Sequence, residues 1–410
     1  MQDSIAPAPR VYWLTEAFFP PLIGGQELTV AYLSRALVTR GISVRVITRQ
    51  TVPPCAAEET LQDVEVRRIK PAGLLKGKGM LAIAPVLGFL ARLLWLLLKD
   101  ARRYDVVIVS GVKVMPFIVV PLCAALGKKC ILRAESYFEL HETISTESLR
   151  TMGALRGRLL FLLIEGARRP LLRRADAVIA ISAQIHEELI KRGVAPDRIV
   201  SVSNGVSLDR YRPLNAQERL LLRSRLSLPR DRTLVLYSGR LARAKGVPIL
   251  VEAWPALVAS HPDLYLILVG SGNRSFDDCE SDVRNLVQRS GLADQVLFVG
   301  ETDAVADYLQ TSDLWVFPTE YEGFSLALIE AMGCALPVVA TAVGAAPQLI
   351  QHGQNGFLFP PKDKRALVDA LEHALAQRAR WPAIGEAARK AVLQFDVNIV
   401  ADRYAALCRS

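Results

Sequence analysis

Short apolar runs alternate with helix-spaced stretches along this chain, and the alternation starts twice. RVYWLTEAFF, SVRVITR, DVVIVSG, KCILRAE and AVIAIS form the first series. Among the stretches between them is LTVAYLSRALVTRG, an amphipathic helix ending at Gly41 as a C-cap. A polar, arginine-rich stretch with prolines, SLDRYRPLNAQERLLLRSRLSLPRDR, interrupts the pattern. TLVLYSGR, LYLILVGSG, QVLFVGE, LWVFPTE and PVVATAV then form a second series. Apolar strands alternating with helices specify parallel sheets covered on both faces. A chain of 410 residues is also too long for one hydrophobic core. The expected fold is α/β, with two Rossmann-like doubly wound domains in tandem facing a cleft. Residues 1–209 form the first domain and residues 210–390 the second. In such sheets ligands bind at the carboxyl ends of the strands.

One of those ends stands out chemically. DLWVFPTEY reads as a buried strand ending in a turn, and EGFSLALIE follows it, with Glu322 and Glu330 at its two ends. A strand, a glycine-containing turn and a helix starting at Ser325 aim free backbone N–H groups at one point, which suits a phosphate. An ionised carboxylate only accepts hydrogen bonds, which suits the hydroxyls of a sugar. The stretch therefore reads as a site for a phosphorylated sugar.

Other strand ends add to it. SGRLARAKG follows the first strand of the second domain and carries Arg240 and Lys245. A guanidinium can clamp two phosphate oxygens and an ammonium supplies a point charge, so together they can neutralise a diphosphate. Gly24 and Gly25 follow the first strand of the chain, where glycine allows close backbone approach and φ > 0. Gly270 lies in VGSGNRS, a ligand-facing turn and not a dinucleotide fingerprint, since no acidic residue follows at the required spacing. No Asp-x-Asp pair, HExxH, GxSxG or Walker A motif is present, so no metal site is expected.

Charge and cysteine usage bear on partners. Residues 1–210 hold 29 Lys+Arg against 19 Asp+Glu, whereas the other 200 residues hold 21 against 22. The excess positive charge of the first half points to an anionic partner for that half, here a membrane surface and not nucleic acid. Residues 80–98 are apolar except for Arg92 and have basic residues on both flanks. They read as a core helix with a partly exposed apolar face, or as a helix lying in the membrane interface. Pro85, Gly88 and Arg92 weaken a membrane-spanning reading. A second basic stretch, residues 150–174, is either a solvated helix face or a membrane-surface element. Six scattered cysteines without a CxxC pair suit free thiols in a reducing compartment, and MQDSIAPAPR does not read as a signal peptide. The expected location is cytoplasmic, peripheral on the inner face of the cell membrane.

The order of a GG loop, GRLARAKG and EGFSLALIE resembles glycosyltransferase family 4, retaining enzymes of the GT-B fold. DAVIAIS, VSVSNGVSLDRY, PVVATAVGAAPQLI, NGFLF and FDVNIVADRYAALC extend the resemblance over nearly the whole chain. It implies a nucleotide diphosphate sugar as donor, a lipid-linked or glycan acceptor, and no cofactor or metal. Glu330 would bind the ribose hydroxyls and Glu322 those of the transferred sugar. The backbone of Gly323, Phe324, Ser325 and Leu326 would hold the sugar and β-phosphate. Arg240 and Lys245 would stabilise the leaving diphosphate, and Gly24 and Gly25 would approach it from the other domain. The last segment, 391–410, would pack back on the first domain. Where many members carry an acceptor-side histidine, LRAESYFELH places Glu135 or Ser136. Ser207 and Gln348 also depart from the family pattern. A sugar-nucleotide epimerase or glycogen-synthase-like enzyme on the same fold, a dinucleotide-dependent oxidoreductase, and a non-catalytic nucleotide-sugar-binding subunit are the alternatives.

Overall fold

The computed structural model describes residues 8–18, 24–50, 55–70, 83–135, 166–272 and 277–410. Ser136, residues 80–82, residues 150–165 and residues 273–275, named above, lie outside them. The chain divides into two compact units, Met1–Gly205 with Val397–Ser410, and Val206–Asp396.

The first unit is built on β1 (Arg10–Thr15), β2 (Ser43–Arg49), β3 (Glu58–Leu61), β4 (Val64–Ile69), β5 (Val106–Ser110), β6 (Lys129–Ala134), β7 (Ala177–Ala180) and β8 (Ile199–Ser201). They form one sheet in the order β3-β4-β2-β1-β5-β6-β7-β8. All pairs are parallel except β3–β4. That hairpin was not foreseen from the sequence. Gln62 and Asp63, at φ 48° and 69°, make its two-residue turn, the backbone twist that suits a tight hairpin. The first helix, α1 (Gly25–Val38), begins inside the stretch expected to be a loop. It closes on Gly41 at φ 76°: Gly41 N–H donates to Val38 O at 3.0 Å and Ile42 N–H to Leu37 O at 3.1 Å, so Gly41 is the left-handed capping glycine the sequence suggested.

Helix α2 (Ile83–Lys99) carries most of the apolar 80–98 segment. Phe89, Leu90, Leu93, Leu96 and Leu97 are buried, while Leu87 and Trp95 are each 59% exposed and Leu98 is 50% exposed. It is thus a core helix with a partly exposed apolar face. Among the described residues no helix is long and apolar enough to cross a membrane. Helices α3 (Pro116–Leu126) and α4 (Ala183–Lys191) are further described helices of this unit.

The second unit contains α5 (Ala216–Arg225), opened by a capping box in which Asn215 and Glu218 satisfy each other's backbone N–H. Its strands are β9 (Thr233–Ser238), β10 (Leu264–Val269), β11 (Val296–Gly300), β12 (Leu314–Phe317), β13 (Val338–Thr341) and β14 (Phe357–Phe359). All pairings are parallel, in the order β11-β10-β9-β12-β13-β14. Its helices include α6 (Val247–Ser260), α7 (Glu280–Arg289), α8 (Val305–Thr311), α9 (Leu326–Gly333), α10 (Ala346–Leu349), α11 (Lys364–Ala376) and α12 (Trp381–Val392).

Strand order reverses between β1 and β5 in the first sheet and between β9 and β12 in the second. These are the switch points where doubly wound folds place ligands.

The unit boundary falls at Gly205/Val206, four residues before the expected one. Val206 pairs with Asp396 in a short parallel bridge, and its N–H donates to Phe395 O at 3.0 Å. That bridge also sets the return at Asp396/Val397, later than expected. The last helix, α13 (Val397–Arg409), belongs to the first unit and packs along α1. Tyr404 on it stacks on Trp13 with ring centroids 5.5 Å apart, and Asp402 pairs with Arg40 at 2.7 Å.

Candidate functional site

At the switch point of the second unit, the loop after β9 meets the loop after β12. The first of them turns through Arg243–Lys245 and closes on Gly246 at φ 71°. A Cβ there would sit 1.9 Å from Pro318 O, so the crossing requires glycine. Glu320 N–H donates to Ala244 O at 2.9 Å and fastens the two loops together. Lys245 Nζ then lies 2.6 Å from Glu322 Oε2 and 5.5 Å from the Phe317 ring centroid. The Lys245 and Glu322 side chains keep 16% and 23% exposure. Glu322, Phe317, Thr319, Ser325, Leu328 and Thr341 line one small hollow.

Helix α9 starts immediately after this turn. Ser325 is its N-cap, and Oγ accepts from Leu328 N at 3.2 Å. Gly323 N–H donates to Glu322 Oε1 at 3.3 Å. Phe324 packs edge-on against Phe395, and Leu326 begins the helix. Glu330, on the second turn, is only 6% exposed. Burial pushes its carboxyl up to about 7, with the Tyr211 hydroxyl and the Arg210 charge pulling the other way.

Arg240 is exposed two residues beyond β9. Its carbonyl accepts from the Tyr237 hydroxyl at 2.6 Å. Burial drives that hydroxyl well above its ordinary range; the Arg240 charge opposes the shift, and the Glu322 charge adds to it. Gly270 adopts φ 125°, and a Cβ on it would meet Gly239 O at 2.0 Å. Its role here is to let the turns after β9 and β10 touch. The second unit therefore brings Lys245, Glu322, Gly323, Ser325 and Leu326 to one edge, with Arg240 and Gly270 on the adjoining turns and Glu330 buried behind.

Gly24, Gly25 and Glu135 belong to the first unit. Gly24 is extended at φ −176°, which any residue adopts, so the positive φ that glycine allows is not used there. A Cβ there would be 3.4 Å from Glu27 Oε2. Gly25 is the first helical residue, and its carbonyl accepts from Thr29 Oγ1 at 2.8 Å.

Glu135 directly follows β6 and has a side chain 8% exposed. It pairs with the fully buried Arg133, whose other Nη donates to Asn204 Oδ1. Burial raises the Glu135 carboxyl; Arg133 and a hydrogen bond from Ser110 oppose the shift, and the Glu27 charge reinforces it. This network was missed from the sequence. Its signal was Arg133 itself, a charge inside the apolar run KCILRAE, where a strand buried on both faces should be apolar throughout. Tyr211, beside Glu330, sits in the arginine-rich connecting stretch and carried no such signal.

A model described as "Glycosyltransferase Family 4" matches residues 23–210, and one described as "Glycosyl transferases group 1" matches residues 232–377. The D-inositol 3-phosphate glycosyltransferase of Xylanimonas cellulosilytica is 30% identical over 395 residues, covering 91% of this chain and 88% of that protein. The lipopolysaccharide core biosynthesis mannosyltransferase LpsB of Rhizobium meliloti is 30% identical over 246 residues, 58% of this chain and 68% of that one. Sucrose-phosphate synthase from Thermosynechococcus elongatus superposes with a TM-score of 0.79 at 26% identity, covering 98% of each chain. The chain thus belongs to glycosyltransferase family 4 and is a glycosyltransferase of the GT-B fold.

Proposed function

We propose that this glycosyltransferase takes its sugar from a nucleotide diphosphate donor held by the second unit and transfers it, with retention, to a lipid-linked or glycan acceptor. The observation that carries the donor reading is the Lys245–Glu322 pair standing at the N-terminus of α9, on the switch-point edge. Glu322 accepts hydroxyls of the transferred sugar, and Glu330 those of the ribose. Lys245 and Arg240 meet the diphosphate, and the Gly323–Leu326 backbone adds N–H dipoles. Positive charge and dipoles fixed where negative charge grows in the transition state lower the barrier directly. The acceptor hydroxyl oxygen bonds to the anomeric carbon on the face the phosphate leaves. The carbon–oxygen bond to the β-phosphate breaks, and the departing phosphate oxygen takes the hydroxyl proton. The two cations do the neutralising, so neither cofactor nor metal takes part.

The acceptor is presented at the inner face of the cell membrane, to which the first unit binds peripherally. The apolar strip Leu87, Trp95 and Leu98 on α2, with Lys99 over the Trp95 ring at 4.9 Å, and the basic charge of residues 1–210 support this reading.

A nucleotide-release assay with UDP-, GDP- and ADP-linked hexoses, a membrane lipid extract and EDTA tests the reaction. Release with at least one donor, undiminished by EDTA, is the expected result; no release from any donor by folded protein sinks the donor reading. Sedimentation with anionic vesicles at low salt tests the membrane reading, which fails if the protein stays in the supernatant.

A further inference from the structure

The first unit holds a built polar cluster at the end of its central strands. Ser110 closes β5, and Glu135 follows β6, which pairs directly with β5. Both residues lie at the carboxyl edge, beside the β1/β5 switch point. Trp13 Nε1 donates to Ser110 Oγ at 2.9 Å. Ser110 has one hydrogen of its own, and it goes to Glu135. Arg133 supplies the second donor and is itself fixed by Asn204. The Trp13 ring is clamped by Tyr404 of α13. Every described donor to Glu135 is therefore held by a further buried contact. A buried ion pair is seldom more stable than apolar residues of the same volume, so stability alone does not account for this one. A carboxylate whose donors are locked from behind in this way is what an oriented functional group requires.

We propose that Arg133 and Ser110 are positioning residues that hold the Glu135 carboxylate to accept a hydrogen bond from a hydroxyl of the sugar acceptor. This rests on the reading of the first unit as the acceptor side. The chemistry selects the acceptor group: a carboxylate only accepts, so its partner is a donor such as a sugar hydroxyl. Glu27, close enough to raise Glu135 by its charge, disfavours a phosphate at the same place.

The test uses the full-length protein, a donor chosen from the UDP-, GDP- and ADP-hexose panel, and methyl glycosides of glucose, galactose and mannose as acceptor probes. Glu135→Gln keeps the shape and removes the charge. It should lower transfer to the best methyl glycoside by about 10- to 100-fold, chiefly through the acceptor KM, as expected for one charge-assisted hydrogen bond. Nucleotide affinity by calorimetry should stay unchanged. Arg133→Met should lose transfer similarly, and Arg133→Lys should regain much of it. Should Arg133→Met fail to fold, Ser110→Ala removes one donor without stranding a charge and should raise the acceptor KM by a smaller factor. The proposal is overturned if Glu135→Gln transfers like wild type, if its nucleotide affinity falls in step with transfer, or if no methyl glycoside accelerates wild-type nucleotide release. Wild type that binds no nucleotide instead defeats the donor reading, and the acceptor assignment falls with it.

Discussion

The two switch points use the same support and load it differently. In the first unit Trp13 Nε1 donates to Ser110 Oγ across β1 and β5; in the second, Trp315 Nε1 donates to Ser238 Oγ at 3.0 Å across β12 and β9. Both tryptophans are fully buried, and in both units the serine is the last residue of its strand. Beyond that point the edges diverge. The first places its ion pair inside, with Arg133 and Glu135 nearly sealed, while the second leaves Lys245 and Glu322 partly open. A pair in contact with water can exchange its partner for a charged ligand at small cost, whereas a sealed pair cannot release its arginine without stranding a charge. The open pair suits a diphosphate, which arrives and departs each cycle. The sealed pair suits a fixed acceptor of hydrogen bonds.

The sharpest break in this comparison comes from removing the open cations. Lys245→Ala or Arg240→Ala should lower kcat for nucleotide release about 100- to 1000-fold, the usual cost of deleting one transition-state donor. Unchanged turnover in both variants would remove the diphosphate from this edge.

Next in size is the backbone beneath the open pair. Gly246→Ala faces both a positive φ and the Pro318 carbonyl, and should destabilise the protein by about 1–3 kcal/mol in denaturant unfolding. Gly24→Ala, extended and with only ordinary contact to Glu27, should change stability by less than about 0.5 kcal/mol. Equal losses at the two glycines would erase the contrast.

The smallest effect concerns protons. Glu330 is raised from 4.5 to about 7. Its contribution to stability is therefore full below pH 4.5 and is lost as pH rises to about 7. Ribose hydroxyls favour the ionised carboxylate, so nucleotide affinity should strengthen as pH rises through about 7, falling about tenfold for each unit below it. Tyr211→Phe removes a hydrogen bond that favours the charged form and should move that midpoint upward. A flat affinity profile from pH 6 to 8 in calorimetry would detach Glu330 from the ribose.

Much of the fold was legible because strands buried on both faces read as continuous apolar runs. DVVIVSG, KCILRAE and TLVLYSGR each became a strand at the expected place. Most strands that escaped notice are short or sit at an edge, while the inner strand β4, VEVRRI, has its apolar run broken by charged residues. β14 has three residues, and β3, EETL, is half exposed and mixed in polarity. Glu322 and Glu330 could be placed from local pattern, since the turn and the helix cap lie within a few residues of them. Their partners could not. Lys245 is 77 residues from Glu322, and Tyr211 reaches Glu330 from the connecting stretch. Only the closed sheet brings them near. Gly24 shows the opposite limit: a GG pair invites a left-handed turn, yet the chain there is extended because α1 starts at once.

The bridge between Val206 and Asp396 has a further consequence, for the order in which the protein is made. The second unit begins and ends at neighbouring points, so it is an insertion within the first, and its whole sequence leaves the ribosome before the first unit is complete. Until α13 emerges, α1 and Trp13 lack the surface that covers them. The nascent chain therefore holds an unfinished amino-terminal half while the second unit folds. Losing only the last fourteen residues would leave it in that state permanently.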